Sequence, residues 1–214
     1  MDLTPKTEQD EDQPVSFYGL SKLEGEKELL KYRNQFPISI VRPPMVFGPR
    51  DKGIFVVIRA LAKSNVMPLL PGGRIDGQKF YSSIHVSDLC RGIIQAGFVP
   101  AEKIPSGEIF YLASDGVHTY QDLLLEMAKN LGKDPWKLWI PKFAVVTLAA
   151  GMTGIGKVTG KTYPLNLDKV NEILPDYWIC SNEKAKKLLG FQPQYDLATG
   201  MADAVKWYRQ NHWL

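Results

Sequence analysis

The sequence has few cysteines and histidines, which argues against two kinds of site. Among 214 residues there are two cysteines, Cys90 and Cys180, far apart in sequence, and three histidines. The cysteines form no Cys-x-x-Cys pair, and no histidine stands at the spacing of a metal-ligand set. Disulfide frameworks and zinc sites depend on such spacings. The sequence therefore predicts a protein without disulfides or a metal site, which fits the reducing cytoplasm.

The chain also lacks a strong charge of either sign and a long apolar run. Its formal net charge is +3, so we expect no nucleic acid as a partner. The polar, acidic residues 1–13 do not have the pattern of a signal peptide. The most apolar stretch, Phe143 to Met152, is shorter than the roughly 20 residues that cross a bilayer. We expect no membrane span, and we favour a core or pocket-lining helix there over an amphipathic surface helix.

Apolar spacing and turn residues indicate helices that alternate with strands. Helices are predicted over 17–34, 54–64, 88–98, 120–131, 142–152, 167–174, 182–189 and 197–211. Strands are predicted over 38–42, 80–86, 108–113 and 177–180. The predicted N-caps are Ser16, Ser87, Thr119, Asn166, Ser181 and Asp196. Prolines and Gly48 exclude regular structure over 43–49, and Pro71-Gly72-Gly73 predicts a turn.

This alternation predicts an α/β fold with a parallel sheet that helices cover. Only about three of the strands are strong, whereas a doubly wound sheet normally has six or more. We therefore expect a partial doubly wound sheet, with its first half N-terminal to this chain.

Tyr18 and Lys22 lie four residues apart on the first predicted helix, so their side chains leave the same face. A tyrosine with a pKa of about 10 is almost fully protonated at neutral pH, and a fixed cation beside it favours the phenolate. Such a tyrosine can exchange a proton with a substrate hydroxyl while a nicotinamide exchanges a hydride. About one Tyr-x-x-x-Lys pair is expected by chance in a sequence of this composition, so the pair alone does not separate a catalytic helix face from a solvated one.

The surrounding residues resemble a known family. The run from Pro14 to Glu26, with Tyr18-Gly19-Leu20-Ser21-Lys22 at its centre, resembles the active-site helix of extended short-chain dehydrogenases of the NAD-dependent epimerase/dehydratase family. Further segments resemble the family's later motifs in the same order: Val41–Pro49, Ile84–Leu89, Phe110–Ala113, Leu189–Pro193 and Trp207–Leu214. The order of these motifs makes the resemblance far more specific than the tyrosine–lysine pair.

The resemblance implies the C-terminal part of a Rossmann-type doubly wound sheet together with a small, mainly helical substrate-binding domain. Residues 1–50 would carry the active-site helix and strand. Residues 51–214 would form the mixed remainder, with strands at about 80–115 returning to the Rossmann sheet. The N-terminal βαβ half of such a fold is not represented in this sequence.

The resemblance also implies roles for individual residues and a cofactor, NAD or NADP. Tyr18 would be the general acid/base, and Lys22 would lower the pKa of the tyrosine and hold the nicotinamide ribose hydroxyls. Residues beside the nicotinamide would be Pro43 and Pro44, and residues lining the substrate pocket would be Met45, Val46 and Phe47. A homodimer through the active-site helix is typical of the family.

His85 and Asp88 are predicted to have structural roles. Asp88 falls in the first turn of a predicted helix, where its charge suits the helix dipole. No partner acid or metal ligand is evident for His85 in the sequence.

Two elements of the family are not found in the sequence. The Gly-x-x-Gly-x-x-Gly turn that holds the cofactor phosphates belongs far N-terminal to the tyrosine, and only residues 1–17 precede Tyr18. Gly151, Gly154 and Gly156 lack a preceding strand and predict a loop instead. The family's catalytic serine or threonine also belongs upstream, because Thr4 and Thr7 lie too close to the tyrosine.

The substrate prediction depends on what stands beside the nicotinamide site. Sugar-nucleotide epimerases often carry Asn where Met45 stands and Arg near Tyr81, and this chain has neither. The sequence favours a small apolar alcohol or ketone, as in hydroxysteroid dehydrogenases and dihydroflavonol reductases. Three basic residues keep a sugar-nucleotide epimerase or dehydratase open as the alternative: Arg50, Arg74 and Lys79. A non-catalytic binding module on the same fold is the second alternative.

We expect this polypeptide by itself to bind dinucleotide weakly and to turn over little or no substrate. The reason is that the pyrophosphate would lack the glycine turn and helix N-terminus that hold it. Calorimetric titration with NADH and NADPH measures this affinity. Binding in the micromolar range would contradict the expectation.

Overall fold

The architecture is taken from a computed structural model, which describes residues 3–70, 78–100, 102–161, 163 and 165–214. The helices are α1 (Phe17–Leu30), α2 (Lys52–Ser64), α3 (Val86–Phe98), α4 (Tyr120–Leu131), α5 (Lys142–Thr159), α6 (Leu167–Ile173), α7 (Glu183–Leu189) and α8 (Leu197–Gln210). The strands are β1 (Ser39–Arg42), β2 (Met45–Phe47), β3 (Val66–Leu69), β4 (Phe80–Tyr81), β5 (Ser83–His85), β6 (Glu108–Tyr111), β7 (His118–Thr119), β8 (Trp136–Trp139) and β9 (Tyr177–Trp178).

The strands pair mostly in parallel, as the alternation of strands and helices predicts. Parallel pairs join β1 with β6, β2 with β5, β3 with β8, and β4 with β9. The pair β4–β7 is antiparallel. Parallel neighbours need a crossover connection, and helices provide most of it here, as in other α/β folds.

Two apolar clusters form the main core, and β2 lies between them. The larger cluster joins β2 and β3 with α2, α4 and α8. The smaller one joins β5 and β6 with Ala185 of α7 and with Phe191. Phe47 belongs to the larger cluster, whereas Val46 packs against the smaller one. Successive side chains of a strand point to opposite faces, so this short strand connects both clusters.

Helix α8 is fixed against the end of β2. Its N-terminus carries a capping box between Asp196 and Thr199. The hydroxyl of buried Tyr208 is shared between two carbonyl oxygens, that of Gly48 at 3.0 Å and that of Asp51 at 2.7 Å. Gly48 has a φ of 139°, a backbone conformation that a side chain would strain. These contacts set where the chain turns after β2.

Four strands, β2, β3, β7 and β8, were not foreseen. The prediction that residues 43–49 lack regular structure is wrong, because Met45–Phe47 pairs with β5. Pro43 and Pro44 precede the strand and Pro49 follows it, so no proline removes a hydrogen bond from its ladder. The prediction also missed β3 and β8. These strands pair with each other although 66 residues separate the end of one from the start of the other. Parallel pairing of distant segments leaves little local signal in sequence.

Several boundaries differ from the prediction. Helix α1 ends at Leu30, and residues 31–36 form turns. The segment predicted as one strand over 80–86 is divided into β4 and β5, and α3 begins at Val86 with His85 as its N-cap in place of Ser87. Asn182, not Ser181, caps α7, without a side-chain bond of its own to the helix. The caps Ser16, Thr119, Asn166 and Asp196 are confirmed.

Helix α5 corrects two further predictions. It extends to Thr159, so Gly151, Gly154 and Gly156 lie in a helix and not in a loop. A Cβ at Gly156 would lie 2.7 Å from the carbonyl oxygen of Lys161. The backbone after the helix therefore packs directly against this glycine. The helix is also not a core element, because only Val145 and Ala149 are buried. The predicted turn at Pro71-Gly72-Gly73 lies outside the described residues.

We expect Gly200→Ala to destabilise the protein by about 1–3 kcal/mol, as overpacking of a core does. A Cβ at this position of α8 would lie 2.8 Å from Cε2 of Phe47 and 3.2 Å from Cδ2 of His85. Chemical denaturation followed by circular dichroism measures the change. The matched control is Gly97→Ala in α3, where nothing lies within 4 Å of the added Cβ, and where alanine should stabilise the helix slightly. Equal effects at the two positions would contradict the proposed contact.

Candidate active site

Tyr18 and Lys22 lie on the same exposed face of α1. The Nζ atom of Lys22 is 5.4 Å from the centre of the Tyr18 ring. The tyrosine is 63% exposed, so a ligand can reach its hydroxyl. The predicted juxtaposition of phenol and ammonium is therefore present, whereas their catalytic roles stay a prediction.

The N-terminus of α1 is held by side chains of α6. The Ser16 hydroxyl accepts a hydrogen bond from the Gly19 amide at 3.0 Å and donates to Oε1 of Glu172 at 2.8 Å. The Phe17 amide donates to Oδ1 of Asp168 at 2.8 Å. A helix N-terminus has amides without partners in the helix, and carboxylates satisfy them well. These bonds fix the turn that carries Tyr18.

The middle of α1 is tied to β1 by Arg42. Its guanidinium donates to Oδ1 of Asp12 at 2.6 Å and to Oε1 of Glu26 at 3.0 Å. The hydrogen bonds with Glu26, and then those with Asp12, raise the pKa of Arg42 further. Bidentate pairs of this kind combine charge with fixed geometry. The sequence indicated the motif residues Glu26 and Arg42 but not that one guanidinium joins the acidic loop, the helix and the strand.

The residues that follow β1 lie next to each other along the chain but differ in accessibility. Pro43 is exposed, and Pro44, Met45 and Val46 are partly buried. Phe47 is completely buried in the larger core cluster. Its ring is enclosed by core residues such as those of α8, and its role in lining the substrate pocket stays a prediction. Pro43, Pro44, Met45 and Val46 remain predicted ligand contacts.

His85 and Asp88 have structural roles, as predicted. Nδ1 of His85 lies 3.4 Å from the Ser87 amide, and Asp88 accepts from the amides of Gln194 and Tyr195 at about 3.0 Å. No partner acid for His85 is evident from the sequence, but in the structure its Nε2 lies 3.4 Å from Oδ2 of Asp203. That contact is close enough for attraction but does not meet hydrogen-bond geometry. Burial lowers the pKa of His85, against the opposing charge of Asp203.

Of the three basic residues considered as phosphate ligands, one is already engaged. Nζ of Lys79, a residue only 3% exposed, donates to the carbonyls of Ile173, Leu174 and Pro175 at 2.7–2.9 Å. Burial lowers its pKa. Lys79 therefore serves the C-terminal end of α6 and is not available to a ligand. Arg50 is exposed, and Arg74 lies outside the described residues.

The described residues fit one end of a dinucleotide. Tyr18, Lys22 and Pro43 are all accessible, and a phenol and an ammonium suit the hydroxyls of a nicotinamide ribose. The fit does not extend to the pyrophosphate. Within the described ranges no glycine-rich turn connects a strand to a helix N-terminus, and Gly151, Gly154 and Gly156 lie inside α5.

Residues 2–112, just over half of the chain, match the NAD dependent epimerase/dehydratase family. The chain belongs to this family. Two curated relatives illustrate its range. The chain is 26% identical over 201 residues to the ceramide reductase of Caulobacter vibrioides, an alignment that covers 94% of this chain and 59% of that protein. It is 28% identical over 209 residues to the UDP-glucose 4-epimerase of Vibrio cholerae, covering 96% of this chain and 57% of that one.

Solved structures of the family have the same fold. The UDP-glucuronic acid 4-epimerase of Bacillus cereus, in complex with UDP-glucuronic acid and NAD, superposes with a TM-score of 0.70 at 22% identity. The superposition covers 98% of this chain and 58% of that one. This likeness confirms the predicted Rossmann-type α/β class. The chain spans less than two-thirds of the length of the epimerase and of both curated relatives.

We expect Arg42→Gln to lower the free energy of unfolding by about 2 kcal/mol, because Glu26 and Asp12 lose their charged donor. Hydrogen exchange read by mass spectrometry should show faster exchange in α1 and unchanged exchange in α8. The matched control is Lys31→Gln, which removes the exposed pair between Lys31 and Glu28 just past the end of the same helix. Exposed pairs contribute little, so a control as damaging as Arg42→Gln would count against the role of Arg42.

Proposed function

We propose that this chain supplies the proton-transfer residues of an NAD(P)-dependent oxidoreductase that acts on a secondary alcohol or ketone. The observation that carries the proposal is the position of the Lys22 ammonium 5.4 Å from the ring of an exposed tyrosine. Family membership supports the nicotinamide cofactor, because the family is defined as NAD dependent. NAD and NADP are both compatible with the described residues.

The proposed reaction assigns one task to each side chain. Bound nicotinamide supplies or accepts the hydride. In the oxidising direction Tyr18 takes the hydroxyl proton of the substrate on its phenolic oxygen, and in the reducing direction it returns that proton. Lys22 stabilises the phenolate and holds the ribose hydroxyls of the cofactor. Pro43 and Pro44 pack beside the nicotinamide, and Met45 and Val46 contact the substrate.

We infer a small, predominantly apolar substrate. Met45 and Val46 present no charge and no hydrogen-bonding group. The chain's similarity to a ceramide reductase supports an apolar substrate. The engagement of Lys79 with three carbonyls removes one of the cations on which a sugar-nucleotide substrate would depend.

A nucleotide-sugar epimerase or dehydratase is the second candidate. Its support is the similarity to a UDP-glucose 4-epimerase and the exposed Arg50. A non-catalytic binding module is the third candidate, but the presence of both Tyr18 and Lys22 argues for catalysis. A homodimer through α1 is also proposed, since Phe17 and Leu20 of this helix are exposed.

We expect Tyr18→Phe in the natural protein to lower kcat by about 10²- to 10⁴-fold, because a general acid/base contributes a factor of this size. The assay follows nicotinamide absorbance with sterol-like and ceramide-like alcohols or ketones, and chromatography follows the products of UDP-sugars. Turnover of the apolar substrates supports the first proposal, and turnover of the UDP-sugars alone supports the second.

The matched control is Tyr32→Phe, which removes the hydroxyl of another exposed tyrosine just beyond α1 and should leave kcat unchanged. Lys22→Met should raise the KM for the cofactor, because the ammonium proposed to hold the ribose hydroxyls is lost. Unchanged activity of Tyr18→Phe would favour the binding module instead.

A further inference from the structure

Helix α5 is apolar on its outer side as well as on its buried side. Val145 and Ala149 face the core and pack near Val170 of α6. Phe143 and Val158, near the two ends of the helix, are 73% and 88% exposed. No residue from Phe143 to Gly156 is charged. Helices at a protein surface ordinarily carry charged residues on their outer face. The uncharged outer face of α5 is therefore typical of a helix that contacts a further apolar surface.

Strand β8 adds exposed tryptophans next to this helix. All of its residues are exposed, with Trp136 at 80% and Trp139 at 58%. Only Ile140 and Pro141 separate the strand from the start of α5. Tryptophan favours the boundary between membrane and water, where its ring is buried and its N–H stays hydrated.

Along the sequence, the charged residues between Asp134 and Asp168 have one sign. Between positions 135 and 167 the sequence contains no acidic residue and four lysines, all exposed: Lys137, Lys142, Lys157 and Lys161. Lysine is depleted in protein–protein interfaces, whereas anionic headgroups attract lysines that lie near them. The combination of tryptophan, uncharged helix and lysine therefore favours a lipid surface over a protein partner.

The geometry allows adsorption but not passage through a bilayer. None of the helices in the described part of the chain combines the length and apolar character needed to cross a membrane. Strand β3 is the only partner of β8 among the described strands. The free backbone edge of β8 must stay hydrated, because unpaired backbone groups are not tolerated in hydrocarbon. An element of this kind fits at the depth of the headgroups.

We propose that β8 and α5 form a docking surface for membranes that contain anionic lipids, with α5 lying parallel to the bilayer plane. The proposal is independent of the reaction proposed above, since it uses neither Tyr18 nor Lys22.

The test measures co-sedimentation of the 214-residue chain with vesicles. One set consists of phosphatidylcholine alone, and the other contains phosphatidylglycerol in addition. Binding to the anionic vesicles should be at least tenfold stronger and should weaken in high salt. Brominated phosphatidylcholine should quench tryptophan fluorescence if Trp136 and Trp139 enter the interface.

Paired variants separate the apolar and the electrostatic contributions. Trp136→Gln combined with Trp139→Gln should weaken binding at least tenfold and remove most of the quenching. Lys137→Gln and Lys142→Gln should each weaken binding to anionic vesicles by about fivefold. The matched controls are Phe98→Gln on α3 and Lys187→Gln on α7, which replace exposed residues elsewhere and should leave binding unchanged. Circular dichroism verifies that each variant is folded.

Three results would overturn the proposal. The first is equal binding, or none, to both kinds of vesicle. The second is a loss of binding in the control variants as large as in the tryptophan and lysine variants. The third is sedimentation equilibrium that shows self-association through Trp136 and Trp139 without vesicle binding, which would assign the surface to a second copy of the chain.

Discussion

The geometry of the candidate site depends on the ion pairs that Arg42 makes with Asp12 and Glu26. Within α1, all of whose residues the structure describes, no side chain is buried. Apolar packing therefore does little to hold this helix in place. Arg42 joins it to β1 at 2.6–3.1 Å, and Asp168 and Glu172 hold its first turn. The distance between Tyr18 on the helix and Pro43 after the strand is set by these polar contacts.

Polar contacts hold α1, whereas apolar packing positions the other part of the candidate site. The residues after β1 are positioned by the core, because β2 directs Phe47 into one apolar cluster and Val46 toward the other. Buried apolar packing is not weakened by salt, whereas ion pairs at a surface are. The half of the candidate site that carries Tyr18 and Lys22 is thus more sensitive to its solution conditions than the half that carries Met45 and Val46.

Local signals allowed much of the fold and part of the site to be predicted from sequence. The spacing of Tyr18 and Lys22, and the N-caps Ser16 and Asp196, depend on residues within one or two helical turns, and these were correct. The pairings of β3 with β8 and of β2 with β5 join distant segments, so their partners leave no mark nearby. Lys79 shows the same limit, because its three carbonyl partners lie more than 90 residues away.

Two of the exposed apolar surfaces, those of α1 and α5, differ in the charges near them. On α1 the apolar residues Phe17 and Leu20 share the helix with acids and bases that pair at three-residue spacing, as Glu24 does with Lys27. Such a surface can meet either water or a protein that matches its charges. On α5 the exposed apolar residues have four lysines near them along the sequence, and the nearest acids along the chain are Asp134 and Asp168. A protein partner of α5 would have to place an acid opposite each lysine, whereas a layer of anionic headgroups neutralises the lysines without fixed geometry. The surface of α5 therefore suits an anionic membrane, and the surface of α1 suits water or a protein with matching charges.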